Sequence, residues 1–119
     1  GNYLIDLFSE YHDTESIGSG ITVWAEFKNV RLGADKLGAR DLSAEKVGES
    51  VAKQLLSFVE QDGAVDSWMA DQLIPYLAIY GGEITTTEIS NHTKTNIAVC
   101  ENFLEQKFQI ENNKISLKK

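Results

Sequence analysis

The chain has two histidines, and one of them, His92, lies in the stretch ISNHTKTNIAVCENFL, residues 89–104. Polar residues open the stretch and apolar residues continue it at helical spacing, which predicts a helix capped by Ser90 or Asn91. The first backbone N–H groups of a helix lack partners and carry partial positive charge, which suits a phosphate. A neutral imidazole there could attack an α-phosphate, because its reference pKa of about 6.5 leaves it mostly unprotonated at pH 7.

Three polar side chains that follow His92 could complete such a phosphate site. Thr93, Thr95 and Asn96 carry hydroxyl and amide groups that can donate hydrogen bonds to phosphate oxygens. The same pattern also fits a plain capping segment whose histidine is an exposed residue without chemistry. The residues alone leave both interpretations open.

A second group of residues suited to nucleotide binding lies in AVDSWMADQL, residues 64–73. Trp68 and Asp71 are three positions apart, so they share one face of a predicted helix. A flat indole can stack on a base, and a carboxylate can hold a metal or accept a hydrogen bond from a sugar. The alternative is a half-buried tryptophan beside an acid that favours the positive end of the helix dipole.

Three helices are predicted to position these residues. The first begins after Ser43, whose hydroxyl suits an N-cap, and ends with Gly63 in the C′ position. The second begins at Asp66 or Ser67, contains Pro75 and stops at residues 81–82, a Gly-Gly pair. The first helix carries an apolar stripe at helical spacing, formed by Val47, Val51, Leu55 and Phe58. The third is predicted to bury a stripe of Ile97, Cys100, Phe103 and Leu104.

Strand patterns surround these helices. They are rich in β-branched and aromatic residues or alternate in polarity, and they fall at residues 2–11, 20–27, within 29–43, at 83–89 and in a hairpin over 107–119 that turns at Asn112–Asn113. The predicted order is β-β-(β)-α-α-β-α-β-β. This order favours an α+β class, with helices packed on one face of a mixed β-sheet.

Composition restricts the classes of function. The chain has 119 residues, 42% of them hydrophobic, which suits one domain over residues 1–119. No apolar run approaches the roughly 20 residues of a membrane span, and the first residues lack the pattern of a signal peptide. The single cysteine, Cys100, favours a reducing, cytoplasmic environment. A net charge of -7 does not suit nucleic-acid binding by this chain alone.

Three runs, taken together in this order and spacing, carry a family resemblance. They are LGARDLSAEKVGESVAKQLL, GAVDSWMADQLIPYLAIYGG and ISNHTKTNIAVCENFL. From about Gly18 to Phe108 the chain resembles the C-terminal part of RNA 3′-terminal phosphate cyclases. Trp68 stands where a tyrosine is expected, a change that preserves an aromatic ring for stacking.

The resemblance implies an ATP-dependent reaction that converts an RNA 3′-phosphate end into a 2′,3′-cyclic phosphodiester. It implies a divalent metal, Mg or Mn, and a histidine that becomes adenylated, a role that falls on His92. It aligns a nucleotide-binding segment with Trp68, Met69, Ala70, Asp71 and Gln72. Within that segment it places the indole on adenine and Asp71 near the metal or the reacting phosphates.

The resemblance also implies a larger protein, built of βαβαββ-type repeats with a small domain inserted late in the chain. These residues resemble the last repeat, after that insertion, and we expect the N-terminal remainder of the same enzyme to supply the basic RNA-binding surface. The isolated chain is then expected to be inactive. Two alternatives are a non-catalytic relative that acts in ribosome assembly and an interaction module without a nucleotide site. The sequence indicates no oligomeric state.

Overall fold

The computed structural model of the chain describes residues 3–118. Its elements are β1 (Gly20–Glu26), β2 (Arg31–Leu37), α1 (Ala44–Glu60), α2 (Ser67–Tyr80), β3 (Gly82–Thr85), α3 (Asn91–Leu104), β4 (Gln109–Glu111) and β5 (Lys114–Leu117). The predicted α+β class is confirmed. The strands form two antiparallel sheets, β1-β2 and β3-β5-β4, and the parallel pairing is a single bridge between Val65 and Thr86. None of the helices within residues 3–118 is long and apolar enough to cross a bilayer.

The elements β1, β2 and α1 form one unit, here called the N-terminal unit. β1 and β2 pair as a hairpin, and α1 covers one face of it. Alternate strand residues point toward α1, as the period of two along a strand requires. The core of this unit contains Leu32, Ala34, Val51 and Phe58. Ser43 caps α1 as predicted, since its hydroxyl accepts a hydrogen bond from the Lys46 N–H.

The remaining elements, α2, β3, α3, β4 and β5, form the C-terminal unit. Its core contains Ile74, Leu77, Ile97 and Ile115, so both helices and the central strand β5 contribute to it. The predicted hairpin of β4 and β5 is present, with Asn112 at the turn at a φ of 52°. Asparagine tolerates this left-handed conformation better than most residues.

The two helices of the C-terminal unit begin at the same end of it. The Thr87 N–H donates a hydrogen bond of 2.9 Å to the Val65 carbonyl, beside the bridge from Val65 to Thr86. Val65 directly precedes Asp66, the N-cap of α2, and Thr87 lies just before Ser90, the N-cap of α3. Since α2 also packs against α3, the two helix N-termini lie side by side.

One predicted strand is wrong. Residues 3–11 form no strand and all are exposed, and Asn2, where the prediction began, lies outside the described residues. The side chains of Leu4, Phe8 and Tyr11 are at least 80% exposed. Alternation of apolar residues predicts a strand only where a neighbouring strand pairs with it, and nothing within residues 3–118 does so.

The predicted role of Gly63 is also wrong. Gln61 is the C-cap of α1, and Gly63 does not have a positive φ. A Cβ at Gly63 would collide with the backbone of Thr86 and Thr87. This glycine therefore permits a close approach of two chain segments instead of ending a helix.

Candidate functional site

His92 lies in the first turn of α3, with its side chain exposed. The Ser90 hydroxyl accepts a hydrogen bond of 3.2 Å from the Thr93 N–H, and the Ser90 carbonyl accepts one of 3.1 Å from the Lys94 N–H. Within residues 3–118, no acceptor is seen for the N–H groups of Asn91 and His92, and the His92 imidazole makes no hydrogen bond or ion pair. An unpartnered imidazole therefore lies beside two free donors at the positive end of a helix.

The sequence explains why this turn is exposed while the rest of α3 is anchored. Ile97, one turn further on, is buried in the core of the C-terminal unit. Ser90 and Thr93 hold the first turn through a hydrogen bond of 3.0 Å between their hydroxyls. The cap and the core together fix the backbone at His92, although its ring is in solvent.

All three side chains predicted to bind phosphate, Thr93, Thr95 and Asn96, have internal partners instead. Thr93 is 0% exposed, and its hydroxyl bonds to Ser90, so it is not accessible to a ligand. The Thr95 hydroxyl donates a hydrogen bond of 2.9 Å to the Asn91 carbonyl, one turn earlier in α3. A threonine hydroxyl in a helix often bonds to this carbonyl. A phosphate at this turn would thus meet the backbone N–H groups of Asn91 and His92 instead of these hydroxyls.

The predicted nucleotide-binding segment occupies the first two turns of α2. Trp68 and Met69 are 54% and 45% exposed, and Gln72 is also exposed. Ala70 is fully buried against the core. Asp71 is half-buried. The segment thus offers a wide indole surface and a carboxylate on adjacent turns, while Ala70 provides close packing.

A contact between α2 and α3 brings the two groups of residues together. The Asn96 Nδ2 donates to the Asp71 main-chain carbonyl at 3.0 Å and to the Asp71 Oδ1 at 3.3 Å. Asn96 lies one turn after His92 in α3, and Trp68 lies one turn before Asp71 in α2. The sequence suggested each group separately and did not indicate this contact.

Asp71 could contribute one ligand to a metal that is shared with a phosphate-containing ligand. Among residues 3–118, no three His, Cys, Asp or Glu side chains form a group that could hold a metal ion. Asp71 is a single carboxylate whose Oδ2 makes no hydrogen bond to the described residues, so that oxygen is available. Mg²⁺ typically binds one or two carboxylates together with substrate phosphates and water.

Comparison with known proteins agrees on one family. A sequence model described as RNA 3'-terminal phosphate cyclase matches residues 12–110. The chain is 51% identical to the RNA 3'-terminal phosphate cyclase of Pyrococcus abyssi over 94 residues, which are 79% of this chain and 28% of that protein. It is 46% identical to the protein of the same name from Thermococcus onnurineus over 107 residues, 90% of this chain and 32% of that protein.

A relative from a different archaeal genus gives the same result. The RNA 3'-terminal phosphate cyclase of Methanosarcina barkeri is 47% identical over 97 residues, 81% of this chain and 28% of that protein. The chain thus spans about a third of the length of these curated relatives. The match to the family includes both α2 and α3, with Trp68, Asp71 and His92. This chain belongs to the RNA 3'-terminal phosphate cyclase family.

Proposed function

We propose that the protein carrying this chain converts RNA 3′-phosphate ends into 2′,3′-cyclic phosphodiesters at the expense of ATP, with His92 as the nucleophile. Family membership supports the overall reaction. The observation that carries the assignment of His92 is its exposed, unpartnered imidazole beside free N–H groups at the start of α3. A nucleophile must have an accessible lone pair, and the developing negative charge on a phosphate is favoured at a helix N-terminus.

The reaction is a sequence of three displacements. An imidazole nitrogen of His92 bonds to the α-phosphorus of ATP, the bond to the β-phosphate bridging oxygen breaks, and pyrophosphate leaves. An oxygen of the RNA 3′-phosphate then takes the AMP group from His92, which returns to neutral imidazole. Finally, the neighbouring 2′-hydroxyl attacks the 3′-phosphorus, loses its proton, and AMP leaves. The covalent step divides one difficult displacement into easier ones.

Residues of α2 would hold the nucleotide. The half-exposed indole of Trp68 offers a face for adenine, and Met69 and Gln72 extend the exposed surface beside it. Asp71 would share a divalent metal with the phosphates through its free oxygen. Bound there, Mg²⁺ or Mn²⁺ would neutralise charge on the phosphates.

The remainder of the protein would bind the RNA. This chain carries a net charge of -7, whereas RNA binding draws much of its affinity from cationic contacts to phosphates. We place these residues as the last repeat of the cyclase, after its inserted small domain, with the basic surface on the N-terminal part. The isolated chain is then expected to show no cyclase activity.

Self-adenylation tests the assignment of His92. The complete protein that carries this chain is incubated with α-labelled ATP and Mg²⁺ without RNA, denatured, and examined for protein-bound label. His12→Ala is the matched control, since His12 is the other histidine of this chain and is also exposed. We expect label on the wild type and on His12→Ala, and none on His92→Ala. Label that persists on His92→Ala would refute the proposal.

A further inference from the structure

We propose that Asn96 is a positioning residue of the adenylation site, which holds the Asp71 carboxylate and fixes α3 against α2 through a carbonyl that Pro75 leaves without a partner. This inference rests on the proposed function. It gives Asn96, one of the side chains predicted to donate to phosphate, a different role, and it adds a role for Pro75.

The proline explains why the Asp71 carbonyl is available. In an α-helix each carbonyl accepts a hydrogen bond from the N–H four residues later, and for Asp71 that residue is Pro75. Proline has no N–H, so the carbonyl has no donor within α2. The Asn96 Nδ2 donates to it at 3.0 Å from the neighbouring helix. The cost of proline within α2 is thus offset by a contact that joins the two helices.

The same amide also orients the carboxylate. An amide NH₂ group has two hydrogens, and Asn96 directs them to the main-chain carbonyl and to the Oδ1 of one residue, Asp71. The Asn96 Oδ1 faces the Cys100 thiol, with 4.0 Å between oxygen and sulfur, which agrees with this orientation of the amide. The side chain of Asp71 is therefore held at one oxygen, and its other oxygen remains open.

The position of the contact sets the register of the two helices. His92 lies one turn before Asn96, and Trp68 lies one turn before Asp71. A shift of α3 along α2 would move the imidazole relative to the indole and to the carboxylate. A nucleotide that stacks on Trp68 reaches His92 only if this register is kept, because displacement by an ångström is costly for an in-line reaction.

Two variants separate positioning from stability. Asn96→Ala removes both hydrogen bonds. Combining it with Pro75→Ala supplies an N–H within α2 for the Asp71 carbonyl but leaves the carboxylate unheld. Asn102→Ala is the matched control, since the Asn102 Nδ2 donates at 2.8 Å to the Ala98 carbonyl of its own helix and not to α2.

The readouts are the melting temperature and the Mn²⁺ concentration that half-saturates binding in the presence of ATP, with the rate of self-adenylation measured in parallel. For Asn96→Ala we expect a lower melting temperature and an at least tenfold higher half-saturating Mn²⁺ concentration. For the double variant we expect the melting temperature to recover and the tenfold metal defect to persist. Asn102→Ala should match the wild type in both.

The failures can be told apart. If Asn96→Ala stays within twofold of the wild type in Mn²⁺ binding, or if the double variant recovers metal binding together with stability, the positioning role is wrong. If the wild type binds Mn²⁺ and ATP but His92→Ala is still labelled, the proposed nucleophile is wrong. The Mn²⁺ titration of Asn96→Ala then still decides whether Asn96 is a positioning residue. If the wild type binds no Mn²⁺ with ATP, both proposals fail.

Discussion

The helices α2 and α3 begin side by side in the C-terminal unit, and their N-termini are capped by side chains of different charge. At α2 the Asp66 Oδ1 accepts hydrogen bonds from the N–H groups of Trp68 and Met69, at 3.1 and 2.8 Å. At α3 the cap is the uncharged hydroxyl of Ser90. One helix thus carries a fixed negative charge at its positive end, and the other does not.

This difference suggests separate tasks for the two helix ends. A phosphate that approached the N-terminus of α2 would meet the negative carboxylate of Asp66. This carboxylate already accepts hydrogen bonds from the N–H groups of Trp68 and Met69. At α3 the N–H groups of Asn91 and His92 have no acceptor among residues 3–118, and the charges that flank the cap, Glu88 and Lys94, are of opposite sign. We therefore expect α2 to orient the base and the metal, and α3 to receive the phosphates.

Removing the carboxylate of Asp66 should give the largest effect on stability. Its Oδ2 also accepts a hydrogen bond of 3.2 Å from the Gly33 N–H in β2, so Asp66 joins the two units. For Asp66→Ala we expect a loss of about 3 kcal/mol in the free energy of unfolding, from the lost cap and the lost charged hydrogen bond. Urea unfolding of the complete protein, followed by circular dichroism, measures it.

Asp66→Asn is the control for this prediction. It keeps an oxygen to cap α2 but turns an NH₂ group toward the Gly33 N–H, so only the contact between units is lost. For Asp66→Asn we expect about half of the loss in the free energy of unfolding that Asp66→Ala causes. Equal stability of Asp66→Ala and the wild type would show that the α2 cap does not support the fold.

Removing the hydroxyl of Ser90 should have a somewhat smaller effect. Ser90→Ala removes the cap of α3 and also leaves the buried hydroxyl of Thr93 without its partner. We expect a loss of about 2 kcal/mol in the free energy of unfolding, measured in the same way. Ser43→Ala is the matched control, because Ser43 caps α1 in an exposed position without a buried partner, and it should cost about 0.5–1 kcal/mol.

Exchanging the N-cap residues of α2 and α3 tests whether the phosphates bind at the N-terminus of α3. Ser90→Asp gives α3 the charged cap of α2 and keeps an acceptor for the first turn, so the fold should be retained. The added charge should repel the phosphates and slow self-adenylation at least tenfold, about 1.4 kcal/mol in the barrier. Asp66→Ser, the reciprocal change, should leave the rate nearly unaltered. An unchanged rate in Ser90→Asp would mean that the phosphates do not approach α3.

The local features of this site could be predicted from the sequence. Capping residues act on N–H groups two or three positions away, so Ser43, Asp66 and Ser90 were identifiable as caps, in the last two cases with one neighbour as an alternative. The helical period of the apolar residues, which is also local, located α1 and α3.

The exposed position of His92 follows from a polar first turn before the buried Ile97. The predicted buried stripe of α3 is wrong at Phe103 and Leu104, which are exposed, because within this stripe the core of the C-terminal unit reaches only Ile97 and, in part, Cys100.

Features that depend on distant segments could not be predicted. The contact from Asn96 to Asp71 joins residues in two helices, and only the packing of those helices defines their register. A glycine after a helical run predicts a helix end, and the sequence does not reveal that Thr87, far away along the chain, is the close neighbour of Gly63. The apolar alternation at residues 3–11 does not specify a partner strand, and nothing in the described chain provides one.

The smallest effect is expected at the opposite end of α3, at Glu101. Its carboxylate accepts hydrogen bonds from the Lys107 Nζ at 2.8 Å and from the Phe108 N–H at 2.9 Å, and these two partners hold the pKa of Glu101 below its ordinary value. A carboxyl whose pKa is lower in the folded state stabilises the fold fully above its unfolded pKa. That stabilisation is lost as the pH falls through the folded value.

Glu101→Gln should therefore cost about 0.5–1 kcal/mol at pH 7, and the difference from the wild type should shrink as the pH falls below about 4. Urea unfolding at several pH values measures this. Self-adenylation should remain at the wild-type rate, because Glu101 lies in the last turn of α3, away from His92. The variant thus weakens α3 without altering its N-terminus. If it slowed adenylation as much as Ser90→Asp, the effect of the exchanged cap would reflect the stability of α3 and not the charge that meets the phosphates.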